Sequence, residues 1–392
     1  MNTASQSVLA MPTPAATASA TPASSASTRT TRPSATAGAE TCAAQSLDSL
    51  SEHQRIGQLF MLGLAGDRLG DAETTAIAND HIGSVWFVER SAAGVTAIHE
   101  VATHVQDLAS QEITGGIGFY IAANQEGGVI QSLQGPGFST IPSAVEQGAR
   151  DLSLLEADSL GWGAELQAAG VNFNFAPVMD VVPPEGDATN EPIGALDREY
   201  GHDPAGVATH AVAFVRGMLR AGVATTAKHF PGLGRVEGNT DFSADVVDGV
   251  TERDDPYLRP FADAIDAGTP AVMVALATYT HLDPERLAVF SPTVIRGILR
   301  TELGFDGLVI SDDLGATAAV AEIPEGDRAV DFLAAGGDVV ISKTVDAAAA
   351  MYEGVLARAD VDAGFRQLVD VAALRVLTAK AVSGLVPGCS GG

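Results

Sequence analysis

Eight short, nearly continuous apolar runs recur along this chain, most of them separated by stretches with helical hydrophobic spacing. The runs are Gln58–Leu64, Ser84–Val88, Gly118–Ala122, Asn172–Val178, Val223–Ala227, Ala271–Ala275, Leu308–Ile310 and Val339–Ile341. Apolar runs without polar alternation are read as strands buried on both faces, the condition of a parallel sheet covered by helices. Leu155–Ala168, Gly206–Ala221, Tyr257–Ala267 and Pro292–Leu303 supply helical patterns between them, and Asp362–Ala381 would complete the outer layer. Eight such units over roughly 340 residues fit the α/β class as a single-domain (β/α)8 TIM-type barrel. An open doubly wound sheet fits less well, because no Gly-x-Gly-x-x-Gly turn follows the first run.

The first forty-odd residues differ in kind. Met11–Glu40 is almost entirely Ala, Ser, Thr and Pro, with too few large apolar groups to offset the entropy of ordering. A disordered arm is therefore expected over residues 1–45, with the barrel over 46–392. Met1–Ala10 has neither a basic start nor a long apolar core, so an export signal or lipid-anchor cysteine is expected upstream. Cys42 precedes the expected barrel and Cys389 stands near the chain end. Domain termini tend to lie close together, so a disulfide clasp is expected, with two free thiols as the alternative. A clasp of this kind implies an oxidising compartment, hence a secreted or cell-envelope location.

Charge narrows the partners. The 22 Lys+Arg against 49 Asp+Glu leave a formal charge of −27, which repels phosphate backbones and anionic lipid. No apolar stretch approaches the ~20 residues of a membrane span. No nucleic acid and no membrane-spanning segment are expected. Two cysteines cannot form a four-thiolate zinc site, and His81, His99, His104, His202, His210 and His281 lack ligand spacing, so no metal or cofactor is expected.

In a parallel barrel the chemistry sits where the strands end. Asn124-Gln125-Glu126-Gly127-Gly128 follows the third run, Asp180 the fourth, Lys228-His229-Phe230-Pro231-Gly232 the fifth, and Ser311-Asp312-Asp313 the seventh. There is no Gly-x-Ser-x-Gly elbow and no Walker loop. Carboxylates with Lys, His and Arg suit hydroxyl-rich ligands, and paired carboxyls can serve as nucleophile and proton donor at a glycosidic bond.

The run Ile298–Gly315, containing Gly304-Phe305-Asp306-Gly307-Leu308-Val309-Ile310-Ser311-Asp312-Asp313, resembles the active-site signature of glycoside hydrolase family 3. Lys228-His229-Phe230-Pro231-Gly232-Leu233-Gly234, Asn124–Gly128 and Phe175–Asp180 resemble three further motifs of that family in the same order. The resemblance covers about Ser51–Leu385, and a barrel without a second sandwich domain is similar to the β-N-acetylglucosaminidase branch. It implies a retaining enzyme acting on terminal β-linked N-acetylglucosamine of cell-wall-derived or related glycans, without cofactor and as a monomer. It implies Asp312 as nucleophile, and Asn124, Arg198, Lys228 and His229 as substrate-binding residues.

The chain departs from the family pattern in three places. Asn124 stands where the motif usually has Asp, and Ser132 where it usually has Arg. The loop after the fifth strand carries Asn239-Thr240-Asp241 where the branch has Asp-Ser-His. Asp241 is accordingly expected as the acid/base, with Glu237 and Asp245 in reserve. A β-glucosidase-like or phosphorolytic enzyme, and a sugar-binding relative without catalysis, are the alternatives.

Overall fold

The computed structural model describes residues 35–389 together with Met1, and the greater part of the expected arm lies outside those residues. Eight parallel strands close into a barrel: β1 Phe60–Leu64, β2 Ser84–Phe87, β3 Tyr120–Ala123, β4 Phe173–Asn174, β5 Ala224–Phe230, β6 Ala271–Val274, β7 Leu308–Asp313 and β8 Val339–Ser342. Each strand pairs with its sequence neighbours, and β1 closes on β8 with Phe60 opposite Val340. Seven of the eight consist entirely of buried residues, which is why the runs read as continuous rather than alternating. Only β7 breaks the pattern among its last residues, at Asp312, and β8 is buried throughout.

Three strands that lead into the cavity differ in extent from the sequence reading. The expected Asn172–Val178 run shortens to Phe173–Asn174, because Pro177 cannot donate to a ladder and only the isolated Val178–Lys228 bridge continues the pairing. In the other direction, β5 and β7 extend past their apolar runs to include Lys228, His229, Asp312 and Asp313.

Among the outer helices, Leu152–Ala168 is capped by the Asp151 carboxylate on the Ser153 and Leu154 N–H groups. Pro204–Arg220 is capped by Asp203 and begins with proline, and it packs against Leu152–Ala168. Gly217 permits that approach, since a Cβ there would sit 2.5 Å from the Glu156 carbonyl. The stretch Thr293–Glu302 is wound as a π-helix.

Order begins earlier than residue 45. Ala35–Ser49 is a helix lying along the last helix, Ala363–Val382, with Ala43 and Leu50 buried against Leu377, Ala381 and Ile117. Its Ala-rich sequence would be marginal alone, and the docking surface supplies the stabilisation that the segment lacks. Cys42 is bonded to Cys389, with Cα atoms 5.8 Å apart and a sequence separation of 347. Closing such a loop is worth on the order of 5 kcal/mol in the chain-entropy model. No described helix is long and apolar enough to cross a membrane.

Beneath the barrel the last helix buries Lys380. Its ammonium donates to Gln58 Oε1 at 2.7 Å and the Gly83 carbonyl at 2.6 Å, and lies 5.7 Å from the Tyr120 ring centroid. Burial without a carboxylate partner lowers its pKa to about 7. Between that value and the ordinary 10.5 the unfolded chain holds a proton that the native chain does not. Stability from this group therefore rises as pH increases from 7 towards 10.5. Denaturant titrations of the native protein and Lys380→Met should show their stability difference moving in the native protein's favour across that interval. A pH-independent difference would place the ammonium charge elsewhere.

Candidate active site

The third strand leads directly into a small hairpin, Gln125–Gly127 paired with Ile130–Gln131. Gly127 turns at φ +117°, where a Cβ would meet the Pro142 carbonyl at 2.1 Å, so only glycine fits beside Glu126. Asn174 on β4 holds the backbone of Gln125 from both sides, accepting from its N–H at 3.0 Å and donating to its carbonyl at 3.1 Å. These contacts fix the Glu126 carboxylate at the C-terminal end of the barrel.

That carboxylate organises the cations. Arg198, on the loop after β4, donates from Nε to Glu126 Oε2 at 2.8 Å and from Nη2 to Oε1 at 2.7 Å. Its Nη1 donates to the Pro192 carbonyl at 2.7 Å. Lys228 on β5 lies 2.6 Å from the same Oε1 and donates to Asn124 Oδ1 at 2.9 Å. Burial alone would raise the Glu126 pKa, but the two cations outweigh it and lower the value to about 2. Desolvation pulls the Lys228 pKa down, against the charge of Glu126. The neighbouring Glu199 pairs with neither cation. It is buried behind the loop, and desolvation, Asp187 and Asp197 raise its pKa to about 7.

A second carboxylate aims the histidine. Asp180 is wholly buried and accepts from His229 Nδ1 at 2.7 Å, from the His229 N–H and from the Leu233 N–H at 2.7 Å. Its contact with Nδ1 makes that nitrogen the donor, leaving Nε2 for the cavity.

Both reactive strand ends carry an extra residue. Between Ala227 and Phe230 β5 advances three positions while β6 advances two, from Val272 to Val274. Between Ile310 and Asp313 β7 does the same against Val339–Ile341 of β8. Such bulges re-aim side chains, and here they fall on Lys228-His229 and Ser311-Asp312. Asp313 turns into the wall, where its carboxylate accepts from the N–H groups of Gly315 at 2.9 Å, Lys343 at 2.8 Å and Ala316 at 3.2 Å. Asp312 has only its own successor's N–H, at 2.8 Å, and lines the cavity.

The loop after β5 closes one side of the mouth. Arg235 anchors it through an ion pair with Asp255 and lies 3.7 Å from the Tyr257 ring centroid. Asn239 Oδ1 accepts from the Asp241 N–H at 3.0 Å, an Asx turn that gives this asparagine a local structural role. The Thr240 and Asp241 carbonyls accept from Ala319 and Ala318 beyond β7. Asp241, Glu237 and Asp245 are all exposed, and of the three only Asp241 lines the cavity. The Asp241 residue is open to water on its outer face, so its desolvation is partial. That desolvation and the charge of Asp312 still raise its pKa, against Lys343, His229 and Arg198.

One cavity thus collects Asn124, Arg198, Lys228, His229, Asp241 and Asp312, over an apolar floor that includes Trp86, Phe175 and Met273. The sequence reading did not single out Glu126 as a site residue, nor Asn174 or Lys343. Glu126 and Asn174 were visible as polar residues at or within apolar strand runs. Cys42 and Cys389 lie apart from this cavity, in the clasp described above. Among the described residues no group of three or more His, Cys, Asp or Glu side chains could hold a metal ion.

A closed parallel barrel that gathers carboxylates with ammonium, guanidinium, imidazole and amide groups in one cavity at its strand ends suits a glycosidase. The profile of the glycosyl hydrolase family 3 N terminal domain matches residues 52–379. The chain belongs to glycoside hydrolase family 3. A β-hexosaminidase of Stenotrophomonas maltophilia (strain K279a) is 33% identical over 294 residues, 72% of this chain and 82% of that protein. The solved β-N-acetylhexosaminidase of Beutenbergia cavernae DSM 12333 aligns with a TM-score of 0.84 and 47% identity, covering 85% of this chain and 99% of that one. A family 3 β-N-acetylglucosaminidase from Paenibacillus sp. str. FPU-7 aligns at 0.77 with 31% identity, covering 86% and 64%.

Glu126→Gln should leave the buried Lys228 and the largely buried Arg198 without their counter-charge, costing roughly 3–5 kcal/mol of stability by chemical denaturation. The native contribution is complete above pH 4.5 and is lost as pH falls towards 2, so acid unfolding should lose this component in the variant. Equal stability of the two proteins at neutral pH would remove Glu126 from its organising role.

Proposed function

We propose that this glycosidase releases terminal β-linked N-acetylglucosamine with retention of configuration, through a covalent bond between the sugar and Asp312. The observation that carries the reading is the division of labour at the end of β7. Both aspartates border the cavity that holds Lys228, His229 and Arg198, but the Asp313 carboxylate is tied to three backbone N–H groups and the Asp312 carboxylate only to the N–H of its successor. The names of the aligned Beutenbergia and Paenibacillus proteins support N-acetylhexosamine as the sugar. Glycans derived from cell walls are the proposed source, met outside the cytoplasm or at the cell envelope by a monomeric enzyme. The Cys42–Cys389 bond supports such an oxidising location.

In the first step a carboxylate oxygen of Asp312 attacks the anomeric carbon, the bond to the leaving oxygen breaks, and Asp241 gives that oxygen its proton. Asn124, Lys228, Arg198 and His229 hold the ring hydroxyls. Asp180 and Glu126 keep these donors oriented. Once Asp312 is esterified its negative charge is gone, and one of the causes raising the Asp241 pKa goes with it. Asp241 then takes a proton from water, which attacks the anomeric carbon and frees Asp312.

Asp312→Ala should abolish turnover while leaving the fold intact, and a fluorinated glycoside should label Asp312 in the native enzyme. A label on Asp313, or an active Asp312→Ala, would overturn the assignment. Asp241→Ala should slow alkyl or sugar leaving groups by roughly 10²–10⁴-fold, with activated aryl glycosides affected far less and azide restoring rate. Because its pKa is raised, the alkaline fall in native kcat/KM should lie above the ordinary carboxylate range. It should vanish in the variant. Equal losses on both leaving-group classes would exclude Asp241 as the acid/base.

A further inference from the structure

The chain contains three lysines, and all three sit at special places. Lys228 is buried against Glu126, and Lys380 is buried beneath the barrel. Lys343 follows β8 at the cavity mouth, exposed, and it makes no ion pair among the described residues. In the ring of eight strands β8 stands opposite β4, so Lys343 faces the cavity from the side away from the Arg198 loop. Lys343 and Asp241 are both exposed residues lining this cavity, whereas Lys228 and His229 are buried in it, so the ammonium stands at the mouth, where a leaving group emerges, and its charge also lowers the pKa of Asp241.

The root of this side chain is fixed. The Lys343 N–H donates to Asp313 Oδ1 at 2.8 Å, and its backbone packs against Gly63, where a Cβ would lie 2.8 Å from the Lys343 carbonyl. Four methylene groups then carry a point charge into the mouth. The net charge of −27 otherwise disfavours any anion near this surface. Of the described Lys and Arg side chains lining the cavity, Arg198 and Lys228 are engaged by Glu126, which leaves Lys343 to meet a negative group outside the sugar cluster.

We propose that Lys343 recognises a carboxylate carried by the leaving group, so that the enzyme prefers N-acetylglucosaminides with an acidic aglycone. This rests on the β-N-acetylglucosaminidase reading above. The 4-(carboxymethyl)phenyl β-N-acetylglucosaminide and its methylamide share ring and leaving oxygen and differ in charge, which makes them the test pair. The native enzyme should favour the acid by about fivefold in kcat/KM at low ionic strength, and salt should erase the preference. In Lys343→Met the ratio should fall to unity or below, and Lys343→Arg should retain it.

Turnover of both glycosides without a charge preference would overturn this inference and leave the glycosidase reading standing. Equal losses on both in Lys343→Met, with a shifted alkaline limb, would also overturn it, by showing that Lys343 acts through Asp241. No turnover of either glycoside by the native enzyme would overturn both readings. Lys343-dependent formation of N-acetylglucosamine 1-phosphate with inorganic phosphate would assign the cation to an acceptor and overturn the leaving-group role.

Discussion

Glu126 is a buried carboxylate that a bidentate arginine and a lysine share, and three separate parts of the barrel mouth meet on it. The hairpin after β3 supplies the anion, the loop after β4 supplies Arg198, and the bulged end of β5 supplies Lys228. Burying these charges costs several kcal/mol per ion before pairing, and the geometry repays much of that only because all three are held together. The same condition makes the cluster useful. Donors that are already desolvated and oriented lose little when a polar ligand arrives.

Asp180 repeats the logic on a smaller scale. It accepts one side-chain and two backbone N–H groups and thereby fixes both the His229 ring and the turn into the following loop. Asp313 does the equivalent at β7, joining the strand end to the start of the segment after β8. Each acid given to structure leaves an adjacent group lining the cavity: His229 beside Asp180, and Asp312 beside Asp313. The replacement of the branch's usual loop residues by Asn239 and Asp241 follows the same division. Asn239 closes a turn, and Asp241 faces the cavity.

The opposite end of the molecule is held by different means. The helix Ala35–Ser49 has little apolar surface of its own, and it is retained by docking on Ala363–Val382 and by the Cys42–Cys389 bond. An unusual buried lysine closes the barrel floor near the same helix. Neither the docking nor the burial of Lys380 was readable in the sequence. Ala-Thr-Ala-Gly-Ala-Glu looks like the arm that precedes it, and Lys380 sits in a helix whose pattern does not mark it as inward-facing.

What the sequence determined by itself was local and repetitive: eight doubly buried strands, their order, and the polar groups that follow them. Those follow from hydrophobic burial, which acts residue by residue and leaves its period in the chain. It also placed Asn124, Lys228, His229 and Asp312 at one rim, because barrel strands end together, whereas Arg198 was reached only through the resemblance to the family. Only the tertiary structure decided which acid pairs with which base. Glu126 lies 72 residues from Arg198 and 102 from Lys228 in sequence, and no short-range rule connects them. The one-residue bulges on β5 and β7 were likewise invisible, since an extra residue changes a strand's register against its neighbour without changing its composition. Pairing and register are properties of two segments at once, and they exist only when the chain has folded.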